Sequence, residues 1–266
     1  MKVEKSKLFS RILMALFLAI YYIPLISIMV FSFNEAKSVT YFTNFTFEWY
    51  QDLFTNSRLL KIIFDTFLIA ITATLISTII GTIASIFLTR INKKFRNGVL
   101  KVNNFPIINP DIVTGIGLLL LFVSLSIERG YGTMLVAHVA FCTPYIVINV
   151  YPKVKSLDPN ILEAAEDLGA KPMKALRTAV LPQIKGAIIS AMAISFTMSF
   201  DDFVISYFTG GSKLNISTYL YTEAKKINPT INALSTIIIL IIMLKIVIDL
   251  IVDSRKEKIR NEKKDY

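Results

Sequence analysis

The chain has 266 residues, 54% hydrophobic and 18% charged, with a mean hydropathy of +0.58 and a formal net charge of +10. A soluble domain holds fewer apolar and more charged residues, and here the excess falls in long blocks, which points to membrane spans rather than one large core. One cysteine, Cys142, excludes a disulfide within the chain. One histidine, His138, leaves too few ligands for a Cys/His metal site, and there is no GxxxxGK[ST] loop to cradle a nucleotide.

Six apolar segments follow in order, at roughly 11–33, 61–89, 105–127, 132–151, 186–209 and 232–252. Each reaches the ~20 residues that a helix needs to cross ~30 Å of hydrocarbon. Backbone groups in lipid must pair internally, so the expected fold is all-α and polytopic, one transmembrane domain over 1–266. The first segment is too long for a signal-peptide core, and no small-x-small site follows it; it reads as an uncleaved span. The basic residues cluster between spans, so topology accounts for them without nucleic acid. Segments on the N-terminal side (1–11, 90–101, 152–185, 253–266) carry 21 Lys and Arg, and those on the other side carry 7. That bias predicts both termini in the cytoplasm. The basic tail after 253 reads as a solvated charge run, with contact to anionic lipid as the alternative.

Between the first two spans, Trp49 sits in FEWYQDLF, either as an interfacial anchor or as a contact for a cation or an extracytoplasmic partner. Asp65 is expected at the membrane interface near Lys61. In the third span, Pro106 and Pro110 break the helix just before Asp111, at ~13 Å depth if the span begins near 102. Asp111 either caps the restarted helix or lines a pathway, and Gly115 and Gly117 permit close helix contact. His138 is expected to hydrogen-bond between helices.

The 152–185 segment reads as a helix–turn–helix. Asp158 is placed as N-cap, Pro159 as first helical residue, and Gly169 as the stop. Leu162, Ala165 and Leu168 form a small apolar strip, and by itself the segment reads as an amphipathic loop resting on its own bundle. The fifth span contains SFDDF, from Ser199 to Phe203. A carboxylate inside a membrane costs roughly 2.5–3.5 kcal/mol on insertion scales. No Lys or Arg lies between Lys185 and Lys213 to offset Asp201 and Asp202. Adjacent helical positions diverge by about 100°, so one aspartate faces a pathway while the other meets a neighbouring helix or caps a broken segment. In the last span, Lys245 and Asp249 are spaced to pair on one helix face.

Glu163-Ala164-Ala165, three residues, Gly169, and then Leu181-Pro182 resembles the EAA motif of ABC-importer permeases (the MetI-like superfamily), with Ala179 where that motif usually has Ile. YIPL (22–25), NPDIVTGIGLLLLF (109–122), HVAFCTPYIV (138–147), SFDDFVISYFTG (199–210) and NALSTI (232–237) resemble the PotC-type permeases of spermidine/putrescine importers, nearly end to end. The resemblance implies a six-helix plasma-membrane permease of a bacterium with a cytoplasmic coupling helix between spans 4 and 5. Glu163, Ala164, Ala165 and Gly169 would contact an ATPase subunit dimer. The other partners implied are a second, PotB-like permease subunit and an extracytoplasmic polyamine-binding protein. ATP would be bound by the partner, with no cofactor in this chain. Asp201, Asp202, Asp111, Trp49 and Ser199 are the expected substrate-pathway residues. Two alternatives stand: an ABC permease for another small solute, and an ATP-independent cation channel or secondary transporter, against which the EAA loop argues.

Overall fold

A computed structural model describes residues 2–223 and 229–262, the side chains of 2–8, 249, 253 and 255–262 excepted. The chain falls into two compact units: Met1–Leu60 with Leu220–Tyr266, and Lys61–Tyr219.

In the first unit, α1 (Lys2–Phe31) packs against α12 (Pro229–Glu262), and α12 also packs against the short α2 (Glu48–Thr55). Residues 32–46 fold back through an Asn34–Phe45 bridge. Asn34 organises that turn: its side chain donates to the carbonyls of Ser38 and Tyr41 and accepts from the Thr43 amide. Phe33 stacks on Phe45 and Tyr50, with centroids 5.1 Å away in each case. The pairing read for Lys245 with Asp249 falls on a side chain outside those described.

The second unit is built around α6 (Tyr131–Lys155), the most buried helix of membrane length. Ile146, Val150 and Val154 of α6 pack against Val180, Ile184 and Ala191, the last two on α9 (Leu181–Phe200). On another side, Phe141 and Cys142 of α6 meet Phe122 of α5 (Asp111–Ser124) and Ile205 of α10 (Val204–Thr209). The long α3 (Ser57–Arg90) approaches α6 where Gly81 lies against Ile146; a Cβ there would come within 2.6 Å of the Ile146 side chain.

Two of the six expected spans are not single helices. The third is a pair, α4 (Lys93–Ile108) and α5, bent by 106° at Asn109–Pro110. Pro110 removes a donor and disfavours helix at Asn109, so the chain turns there. With 14 residues, or about 21 Å, α5 is shorter than the hydrocarbon layer. The fifth span runs as one rod from α8 (Pro172–Ala175) through a π-turn at Leu176–Val180 into α9, and stops at Phe200. Residues 201–203 leave the helix, and α10 restarts at Val204. Hydropathy continues across this break, so the sequence reads it as one span.

The helix that follows α6, α7 (Ile161–Asp167), begins two residues later than expected. Asp158 does not cap it. Its Oδ1 accepts from the Asn160 amide at 2.9 Å, a local turn that holds Pro159 outside the helix. Gly169 does end it, at φ +84°, a left-handed conformation that glycine adopts without a Cβ penalty.

Candidate functional site

The break at 201–203 is held by hydrogen bonds, not by proline or glycine. Asp202 is buried, and its carboxylate takes the first free amides of α10: Oδ1 accepts from Ile205 N at 3.1 Å and Oδ2 from Ser206 N at 2.7 Å. These are groups that a helix start leaves unsatisfied. Oδ2 also accepts from the Ser206 hydroxyl at 2.9 Å.

Asn215 closes the break from the other side. Its Nδ2 donates to the Asp202 carbonyl at 2.6 Å and to Ser206 Oγ at 2.8 Å. Asn215 is itself fixed by a reciprocal cap with Thr218 at the start of α11 (Ile216–Glu223). The Thr218 amide donates to Asn215 Oδ1 at 2.8 Å, and the Asn215 amide donates to Thr218 Oγ1 at 2.9 Å. The Asn-x-x-Thr spacing in LNIST was the readable signal for this cap, which sequence reasoning missed.

His138 of α6 bridges the two helix ends. Its Nδ1 lies 2.7 Å from Ser199 Oγ on α9, and its Nε2 lies 2.9 Å from Ser206 Oγ on α10. Proton counting assigns the roles. Ser206 spends its one proton on Asp202, so Nε2 of His138 must be the donor there, and a neutral ring then accepts at Nδ1 from Ser199. Nε2 is also 3.5 Å from Asp202 Oδ2. The network is therefore fully paired in a buried setting, where one missing member would leave others unsatisfied.

Asp201 has the opposite environment. It is exposed; its carbonyl accepts from Ser217 Oγ at 3.2 Å, and among the described residues nothing pairs with its carboxylate. Aromatic rings flank it in sequence. Phe200 stacks on Phe196 and packs against Phe67, while Phe203 lies against Tyr207, which is exposed. Asp111 is exposed as the first residue of α5. One turn on, Gly115 lets α5 approach α10 closely, because a Cβ would meet Phe208 at 2.9 Å and Val204 at 3.5 Å. Gly117 faces open space and has no part in that contact. The structure thus gathers Ser199, Asp202 and Asp201 at one break, with the start of α5 packed beside it.

The remaining residues singled out by the sequence lie elsewhere. Trp49 belongs to the first unit, buried, with its indole N–H donating to the Asn34 carbonyl at 2.7 Å and Lys37 Nζ 5.6 Å from its ring centroid. Asp65 makes no ion pair with Lys61 among the described residues. It is buried two turns into α3, where it accepts from the Tyr131 hydroxyl at the start of α6. In α7 the apolar strip is divided: Leu162 packs toward the core, while Leu168 is 90% exposed. Glu163, Ala164 and Gly169 are exposed and Ala165 is half-buried.

Helices of lipid-crossing length, a paired polar break inside one of them and an exposed EAA turn define a polytopic membrane transport subunit. The family described as "Binding-protein-dependent transport system inner membrane component" matches residues 77–261, and the chain belongs to it: it is a multi-pass inner-membrane permease of the ABC-importer type. Among curated relatives, it is 37% identical over 228 residues to the putrescine transport system permease protein PotI of Escherichia coli (strain K12), covering 82% of this chain and 81% of that one. It is 35% identical over 242 residues to the spermidine/putrescine transport system permease protein PotC of the same strain, covering 89% and 90%. A solved bacterial ABC transporter involved in import of the acidic polysaccharide alginate shares the fold. Its TM-score is 0.69 at 15% identity, over 96% of this chain and 97% of that one. The alginate transporter in complex with an alginate pentasaccharide-bound periplasmic protein gives a TM-score of 0.65 at 16% identity, over 91% and 92%.

Proposed function

We propose that this permease carries polyamines, spermidine or putrescine, inward across the membrane, and that Asp201 is the group that meets them. The observation that carries the reading is an exposed, unpaired carboxylate at a helix break inside a membrane span, flanked by aromatic residues. Such a carboxylate is costly without a countercharge, and a polyamine brings several. A cation near Phe or Tyr faces adds about 0.5–2 kcal/mol per contact. The names of the relatives that span most of the chain support the same solute class. An acidic solute would instead want basic side chains or helix N-termini along its path.

Asp202 is assigned a positioning role: with both oxygens engaged, it holds α10 so that Asp201 stays presented. Ser199 acts through His138 in the same way. Asp111, at the start of the short α5, supplies a second weak acidic contact, and Trp49 holds the turn after α1. Both termini lie in the cytoplasm. Glu163, Ala164, Ala165 and Gly169 dock a cytoplasmic ATPase dimer that binds the ATP, this chain holding no cofactor. A second permease subunit completes the pathway, and an extracytoplasmic binding protein delivers the solute.

The test is uptake of labelled spermidine and putrescine by the assembled importer in proteoliposomes, with ATP supplied to the ATPase side. Asp201→Asn is expected to lower uptake at least tenfold while the ATPase still co-purifies. Gly169→Asp is expected to lose the ATPase. Normal uptake by Asp201→Asn would overturn the assignment of that residue, and failure of the wild type to import either polyamine would overturn the solute class.

A further inference from the structure

A cavity of about 280 Å³ lies at the opposite end of the second unit from the 201–203 break, where α3 and α6 finish, and transport as described above makes no use of it. Its rim carries three cations, Arg90, Arg96 and Lys155, against one carboxylate, Asp158. Among the described residues, none of these four makes an ion pair. Arg90 is the last residue of α3 and Lys155 the last of α6, so the rim sits where two membrane-length helices leave the hydrocarbon. The floor is apolar, formed by Val154 and Val180 of the core with Ile86 beside them.

The charge balance favours an anion. The ends of α3 and α6 bring partial negative charge, at most about half a unit each. The start of α4, capped by Asn92 Oδ1 on the Phe95 amide at 2.9 Å, brings partial positive charge. Three full positive charges outweigh Asp158 and two helix ends. Position and an apolar floor then narrow the class of anion. A basic pocket between transmembrane helices at the membrane surface, with an apolar floor, fits a phosphate attached to acyl chains, and the guanidinium fork of arginine matches phosphate geometry.

We infer that this cavity binds the phosphodiester headgroup of an anionic phospholipid. Ile161 and Leu162 of α7 form one wall of it, while Glu163 and Ala164 are exposed and do not line it. A bound headgroup therefore braces α7 from behind. The site is independent of which solute is carried.

The experiment places the assembled importer in phosphatidylcholine nanodiscs with and without phosphatidylglycerol. Native mass spectrometry is expected to find phosphatidylglycerol retained by wild type and at least tenfold less by Arg90→Gln/Arg96→Gln, with Lys94→Gln, outside the cavity, behaving as wild type. Hydrogen exchange of the α7 amides is expected to slow at least threefold on adding phosphatidylglycerol to wild type and not to the double variant. If the double variant fails to assemble, Lys155→Gln, an exposed helix-end change, carries the same test with a smaller loss. Equal lipid retention in variant and wild type would sink the site. Displacement of the lipid by millimolar inorganic phosphate would make it a small-anion site instead, and unchanged α7 exchange would remove the bracing.

Discussion

At Asn109–Pro110 the chain turns because a proline cannot continue the helix, and Asp111 is left exposed at the start of α5. At residues 201–203 no proline or glycine intervenes, and the turn is held by Asp202, Ser206, Asn215 and His138, which arrive from four different elements or linkers. The first break is covalent in origin and would persist in an isolated segment. The second exists only while its partners are in place, since a carboxylate inside an apolar run stabilises a helix end only when the amides it caps are there to meet it. The two joints therefore differ in kind: one is fixed by the backbone, the other by hydrogen bonds.

The largest effect that separates the two joints is expected from Asp202→Leu. It strands two amides and a hydroxyl in a buried site, and should cost about 3–5 kcal/mol, read as a fall in melting temperature of the detergent-solubilised complex. A loss below about 1 kcal/mol would mean that the second break does not rest on this carboxylate. Next comes Gly115→Val, which overpacks the close approach of α5 to α10 beside the two joints. It is expected to cost about 1–3 kcal/mol in the same melt, while Gly117→Val, facing open space, should leave the melt unchanged. If the two glycine variants behave alike, the joints are not coupled through α5 and α10. The smallest effect belongs to Pro110→Ala, which loosens the covalent break at a cost of about 0.4–1 kcal/mol; a loss matching that of Asp202→Leu would erase the distinction between the joints.

The two acids of SFDDF mark how far the residues alone could be read. The cost of an intramembrane carboxylate, the absence of basic partners nearby and the 100° divergence of neighbours already divided the roles between a facing residue and a capping one. Which residue is buried and caps α10 depended on Ser206, four positions ahead, and on Asn215 and His138, 13 and 64 positions away. The same limit applies to Asp65, whose partner Tyr131 lies 66 residues along the chain. Gly169, by contrast, was readable as a helix stop because the left-handed turn is a property of the residue itself.

By itself, the sequence determined what depends on local chemistry and on the solvent: which stretches are apolar enough to enter lipid, that they are helical, where proline breaks one of them, and the EAA turn with its glycine. Tertiary structure alone decided where the fifth span stops, which aspartate is buried, that Trp49 hydrogen-bonds inward, and that three cations meet at the ends of α3 and α6. Hydropathy averages over a window and cannot register a break held by hydrogen bonds between distant residues. Those bonds form only once the helices that carry them have packed.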